Sequence, residues 1–239
     1  MVKISSSTKK AYTLVELSIV LVIIAIFLSS GLNIFTNNIV QTKTVNTKEK
    51  LNIIYKSLAE HLMTKRSLPC PTLLSKPKDS ETSYGNPNQA PCSKTGGVPT
   101  RVLDLPSDMA EDDFGNKILY VVDNRLITNF VATSLTNGNG DIDIGQGSDA
   151  NAPAKPVLLL LSFGANSCGS HKTNGTQNTP NICDSTNDGS GQFENSDNDT
   201  TFATSDTNPK FDDLVLTKTY YDFLQELNLT HTQSQAYFR

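Results

Sequence analysis

One segment limits what this chain can fold into more than any other. Residues 14–28 read LVELSIVLVIIAIFL, and Glu16 is the only strongly polar side chain among them. Extended to Phe35, the block is about 20 residues long, enough to cross a bilayer core as a helix. Before it stands MVKISSSTKK, with Lys3, Lys9 and Lys10 and no acid. That bias predicts a single membrane pass with the N-terminus cytoplasmic and everything C-terminal on the far side. An ordinary signal peptide with a cut near Ser29-Ser30-Gly31 is the simpler alternative. It leaves Glu16 without a reason.

A carboxylate in a bilayer costs at least ~2–3 kcal/mol, so Glu16 needs a cation at its own depth. No Lys or Arg of the apolar block supplies one. A cut after Ala11 would place a new α-amino group on Tyr12, four residues from Glu16. That amine can approach Glu16 on its own helix, or the Glu16 of a neighbouring copy in a packed array. Either pairing offsets the desolvation cost.

KKAYTLVELSIVLVIIAIFL resembles the N-terminus of type IV pilins and type II secretion pseudopilins. The family has a short basic leader, a cut before an aromatic residue, and Glu as fifth residue of the mature chain; counted from Tyr12, Glu16 is the fifth. The resemblance implies cleavage after Ala11 by a prepilin peptidase, N-methylation of Tyr12, and polymerisation through the apolar helix on an inner-membrane assembly platform. Two positions depart from the family pattern: Ala11 replaces its usual Gly, and Tyr12 its usual Phe. The expected product is a filament subunit, a pilin or pseudopilin of minor type. Its partners would be other such subunits, the peptidase and the lipid bilayer of a bacterial inner membrane, with the head periplasmic.

The expected fold class is α+β and pilin-like, a long N-terminal helix packed on a small antiparallel sheet with long disulfide-tied loops. The expected divisions are a leader at 1–11, a membrane and assembly helix at 12–35, its amphipathic continuation at 36–66, and a head at 67–239. Beyond Phe35, Ile39, Val40, Leu51, Ile54, Leu58 and Leu62 recur at helical spacing. A helix over 12–65 would be on the order of 80 Å long, and Pro69-Cys70-Pro71 closes it off. Strands are predicted at 117–123, 125–131, 157–163 and 213–217, with Asp123-Asn124 as a hairpin turn between the first two. A short helix is predicted at 220–229. Residues 70–100, 132–156 and 164–210 read as loops.

Loops of such length need ties. Four cysteines beyond a membrane segment point to two disulfides. Of the three connectivities, local pairing of Cys70 with Cys92 and of Cys168 with Cys183 suits the loops best. Zinc held by Cys168, His171 and Cys183 is the sharper alternative, but the spacing fits no standard finger.

Charge divides the chain. Residues 1–76 carry ten Lys/Arg and three acids, whereas 77–239 carry ten and 21. An acidic head argues against nucleic acid as the partner. Asp184, Asp188, Glu194, Asp197, Asp199, Asp206, Asp212 and Asp213 crowd 184–213, where Lys210 is the only cation. Asp184, Asp188, Glu194, Asp197 and Asp199 are candidate oxygen ligands for Ca2+. Asp184-x-Thr186-x-Asp188-Gly189 resembles the opening of an EF-hand loop, but Asn195 stands where the bidentate Glu belongs. Asx-turns on a solvated surface are the plainer reading, for Asp141-Ile142-Asp143 as well. His61, His171 and His231 are the only histidines. No nucleophile elbow or phosphate-cradling glycine pattern accompanies them, so an enzyme is not expected. A monomeric, membrane-anchored or periplasmic Ca2+-dependent binding protein is the competing class.

Overall fold

The structure, a computed structural model, describes residues 13–77, 92–128, 140–144, 155–178, 194–196, 201–204, 211–230 and 232–234, the side chains of 27–36, 128 and 194 excepted. The chain divides into two compact units, Met1–Thr42 and Lys43–Arg239. Helix α1, Leu14–Lys65, begins in the first and ends in the second. Then follow β1 (Thr95–Gly97), β2 (Leu119–Val122), α2 (Asn124–Thr128), β3 (Asp143–Ile144), β4 (Leu158–Ser162), β5 (Thr201–Phe202), β6 (Leu214–Lys218) and α3 (Tyr220–Glu226). Short 3-10 turns lie at Ser107–Ala110 and Glu194–Ser196.

In the first unit, α1 is apolar on all sides from Leu14 to Ile26 apart from Glu16 and Ser18, and its side chains there are exposed. Among the described residues no helix is long and apolar enough to cross a membrane. The side chains of 27–36 lie outside the described ones, and the described apolar run from Leu14 to Ile26 is shorter than the about 20 residues a bilayer core requires.

The second unit is built on an antiparallel sheet of order β1-β2-β4-β6. The end of α1 covers one face. Leu51, Ile54, Tyr55, Leu58 and Leu62 join Tyr120, Val122, Leu158, Leu160 and Phe223 in one apolar cluster. Their spacing of three and four residues puts them on one helix face. Leu119, Val121, Leu159 and Leu161 point to the other face, where Ile142 and Phe202 cover them. Those last two belong to the β3–β5 region, whose strands pair parallel. Central strands buried on both faces need apolar residues without alternation, and that is why residues 157–161 read VLLLL.

Strands β2, β4 and β6 lie within one or two residues of their predicted ends, and helix α3 ends three residues before its predicted end, but four expectations are corrected. Ile39 and Val40 are exposed, and the buried face of α1 opens only at Thr47 and Leu51. Residues 125–131 do not begin a strand: Asp123 Oδ1 accepts the Arg125 N–H at 2.9 Å and starts α2 instead. This is N-capping by a carboxylate, so no hairpin follows β2, whose partners are β1 and β4; 129–131 lie outside the described residues. The stretch 70–100 contains β1, a Thr-Gly-Gly edge strand that propensity disfavours. Gly96 fits because a Cβ there would come within 2.3 Å of the Thr72 carbonyl oxygen. Finally, α1 ends at Lys65 as expected but by another cause, with Arg66 at φ 58° in the left-handed region that terminates helices. The Arg66 N–H still bonds the Leu62 carbonyl at 2.9 Å, so the stop precedes the prolines.

Candidate functional site

The first turn of α1 carries the candidate assembly residue. Thr13 precedes the helix, and its Oγ1 accepts the Glu16 N–H at 3.2 Å. Glu16 Oε2 in turn accepts the Thr13 N–H at 3.4 Å. This reciprocal pair is a capping box, which satisfies two backbone donors that a helix start otherwise leaves open. Glu16 also sits where the helix dipole favours negative charge. Sequence reasoning missed Thr13, although the signal is present as T-x-x-E directly before the apolar run.

Around this cap stands bare apolar surface. Leu14 is 86% exposed, Val15 65% and Leu17 57%. Contiguous apolar surface of this kind is covered in use by lipid or by other protein. Ala11 and Tyr12 lie outside the described residues.

The other candidate residues fall elsewhere. Cys70 and Cys92 form a disulfide with 5.6 Å between their Cα atoms, closing a separation of 22 residues. Cys168 is buried and disulfide-bonded; Cys183 lies outside the described residues. With its sulfur in a disulfide, Cys168 has no thiolate to offer, which removes it as a zinc ligand. Asp184, Asp188, Asp197 and Asp199 lie outside the described residues, as does the side chain of Glu194. Among the described residues no group of three His, Cys, Asp or Glu could hold a metal ion. Asp141 and Asp143 already have cations: Lys94 reaches Asp141 at 3.1 Å, and Lys155 pairs with Asp143.

Two buried aspartates were not singled out for any role by the sequence. Asp112 Oδ2 accepts the Ser162 hydroxyl at 2.7 Å, and its Oδ1 accepts the N–H groups of Phe114 and Asn116. Burial raises its pKa, and these donors pull the other way without cancelling the rise. Asp213 is 2% exposed. Its Oδ2 accepts Asn195 Nδ2 at 2.7 Å, while Oδ1 has no partner among the described residues. Burial, with the nearby Asp212 charge, pushes its pKa up to about 7 against the opposing Asn195 bond.

His61 Nδ1 bonds the Ser67 carbonyl at 2.9 Å. His171 is shifted down, first by burial and then by the charge of Lys117. His231 lies outside the described residues.

Residues 6–32 match the model of the prokaryotic N-terminal methylation motif. That motif, which spans Ala11, Tyr12 and Glu16, is the signature of type IV pilins and pseudopilins. No curated protein and no solved structure matches the chain.

Proposed function

We propose that the chain is a pilin-like filament subunit, of minor type, in a type II secretion or type IV pilus system. Prepilin peptidase cuts after Ala11 on the cytoplasmic side, and Tyr12 is methylated. Residues 12–35 anchor the subunit in the inner membrane until it enters a filament, and the head stays periplasmic. The observation that carries this reading is the methylation motif placed on a bare apolar helix with Glu16 in its first turn. A helix apolar on all sides is stable only when surrounded. Lipid surrounds it before assembly and neighbouring subunits do so afterwards. Glu16 then meets the α-amino group of an adjacent subunit in a dry environment, where a lone carboxylate would be costly. The pair supplies register, and apolar packing supplies most of the free energy. The role is structural rather than catalytic.

The mature N-terminus tests this reading. Mass spectrometry of protein taken from its native membrane should show a chain starting at Tyr12 with one added methyl group. A chain starting near Gly31 would remove Glu16 with the leader and leave a periplasmic binding protein as the better reading.

A further inference from the structure

A cavity of about 510 Å3 opens on the second unit, lined by Phe114, Asn116, Lys172, Thr173, Asn174 and Asn178 among others. Its volume falls within the range of small-molecule sites, roughly 300–1,000 Å3. We propose that this cavity binds a small carbohydrate bearing a carboxylate, such as a uronic acid. Three observations lead there.

The inner wall is held rigid before any ligand arrives. Asn116 is 3% exposed; its Nδ2 donates to Ser167 Oγ at 2.9 Å and its Oδ1 accepts from Ser170 Oγ at 2.9 Å. Asn178 Nδ2 donates to Ser170 Oγ at 2.7 Å, closing the network. A satisfied buried polar network fixes the side chains that belong to it, and pre-organisation of this kind lowers the cost of binding.

The rim has unused polar groups. Lys172 Nζ, Thr173 Oγ1 and Asn174 Nδ2 make no hydrogen bond or ion pair among the described residues; Asn174 Oδ1 accepts the Thr176 N–H at 2.9 Å. These groups stand together because residues 171–177 turn back on themselves through a His171–Gln177 bridge, with Gly175 at φ 87°. Side-chain amides and hydroxyls on one wall suit a ligand with many hydroxyls.

The sign of the site is opposite to that of the head. Among the described residues no Asp or Glu lines the cavity, and Lys172 is the one charged residue of that lining, although 77–239 carry 21 acids. A lone ammonium among neutral donors selects an anion. Phe114 is the one aromatic residue in the described lining, and it offers the apolar surface on which the C–H face of a sugar ring can lie. Lys43 Nζ stands 5.7 Å from the centre of that ring.

The probe pair is glucuronate and glucose, offered to the full chain in detergent and read by saturation-transfer NMR and titration. Glucuronate should bind saturably and at least tenfold more tightly than glucose. Lys172→Gln should weaken glucuronate at least tenfold with an unchanged unfolding midpoint, while Lys56→Gln, on an exposed stretch of α1, should leave it as it was. No saturable binding of glucuronate would overturn the proposal, and so would equal binding of the two sugars. Equal losses in the Lys172 and Lys56 variants would also overturn it, by showing general charge attraction. The mass of the mature N-terminus is independent of all these outcomes, so this proposal and the filament reading fail separately.

Discussion

Asn195 Nδ2 holds Asp213 Oδ2 at 2.7 Å, while the second oxygen of the same buried carboxylate accepts nothing among the described residues. Asn195 also clasps the backbone of Ala203, through Ala203 N at 2.8 Å and Ala203 O at 3.2 Å. One amide therefore ties the 3-10 turn at Glu194–Ser196 to the end of β5 and to the start of β6. Burial disfavours the charged form of Asp213 even so, because one hydrogen-bond donor compensates a buried carboxylate poorly.

A pH dependence follows from that imbalance. Asp213 titrates near 7 in the folded chain against an ordinary 3.8, so above pH 3.8 the folded state holds a proton that the unfolded state has released. Stability from this group therefore falls as pH rises from about 4 to 7 and is level above that. If the whole shift counted, the loss would be about 4 kcal/mol. Asp213→Asn should flatten this part of the profile and raise the unfolding midpoint at pH 8 relative to the parent. Parallel pH profiles for the two proteins would refute it. Asp123 acts at the other end of the scale. Burial alone would raise its pKa, but Arg125 and the Asp141 N–H outweigh that and hold it below the usual range. Its contribution is lost only in acid.

The parts of this architecture that were legible in the sequence are those where one physical cause dominates. Residues 157–161 can only be a buried strand or helix, and Leu51, Ile54, Leu58 and Leu62 repeat at the helical period. Where two causes compete, the pattern misled. Arg125 to Val131 has the apolar content of a strand, but the Asp123 carboxylate caps a helix start there. Ile39 and Val40 continue the apolar pattern of the helix yet stay exposed, because a repeat reports periodicity and not what lies opposite. The cavity was invisible because its wall joins Asn116 to Ser167, Ser170 and Asn178 across more than 50 residues. At the candidate site Glu16 was legible through its cost in a bilayer. Thr13 was overlooked although the two form one capping motif.

The Cys70–Cys92 disulfide closes the segment next to the Thr72–Gly97 bridge at the sheet edge. Replacing both cysteines by Ser should lower stability by about 3 kcal/mol on the chain-entropy account. The check is denaturant unfolding of parent and variant, both oxidised. An unchanged midpoint would mean that the β1 edge holds this loop without covalent help.

Helix α1 should respond oppositely at its two ends. Leu58 is fully buried against the sheet, so Leu58→Ala should cost about 2–5 kcal/mol of head stability. Leu21 is 59% exposed, and Leu21→Ala should leave the unfolding midpoint of the isolated chain within about 0.5 kcal/mol. In filaments the order should reverse, with Leu21→Ala reducing the share of subunit recovered in sheared fibres. If Leu21→Ala shifts the midpoint of the isolated chain as far as Leu58→Ala does, the apolar stretch is packed within the subunit and not reserved for a partner.

The capping box gives Glu16 two separable duties, and three substitutions divide them. As a cap, Glu16 accepts the Thr13 N–H, a bond that the side-chain oxygen of Gln can also accept. As an assembly residue it must carry a negative charge to meet an amine in a dry interface. Thr13→Ala removes the hydroxyl half of the capping box and keeps both the charge and the Glu16 bond to the backbone N–H of residue 13, costing about 1 kcal/mol at the helix start. Glu16→Gln removes the charge and keeps the cap, and Glu16→Ala removes both. If charge pairing drives assembly, Gln and Ala at position 16 should be equally defective in filament incorporation, and Thr13→Ala should assemble nearly as the parent does. The readout is subunit content in purified fibres at matched membrane levels. Near-normal incorporation of Glu16→Gln together with failure of Thr13→Ala would reduce Glu16 to a cap. The negative charge in the apolar helix would then need another explanation.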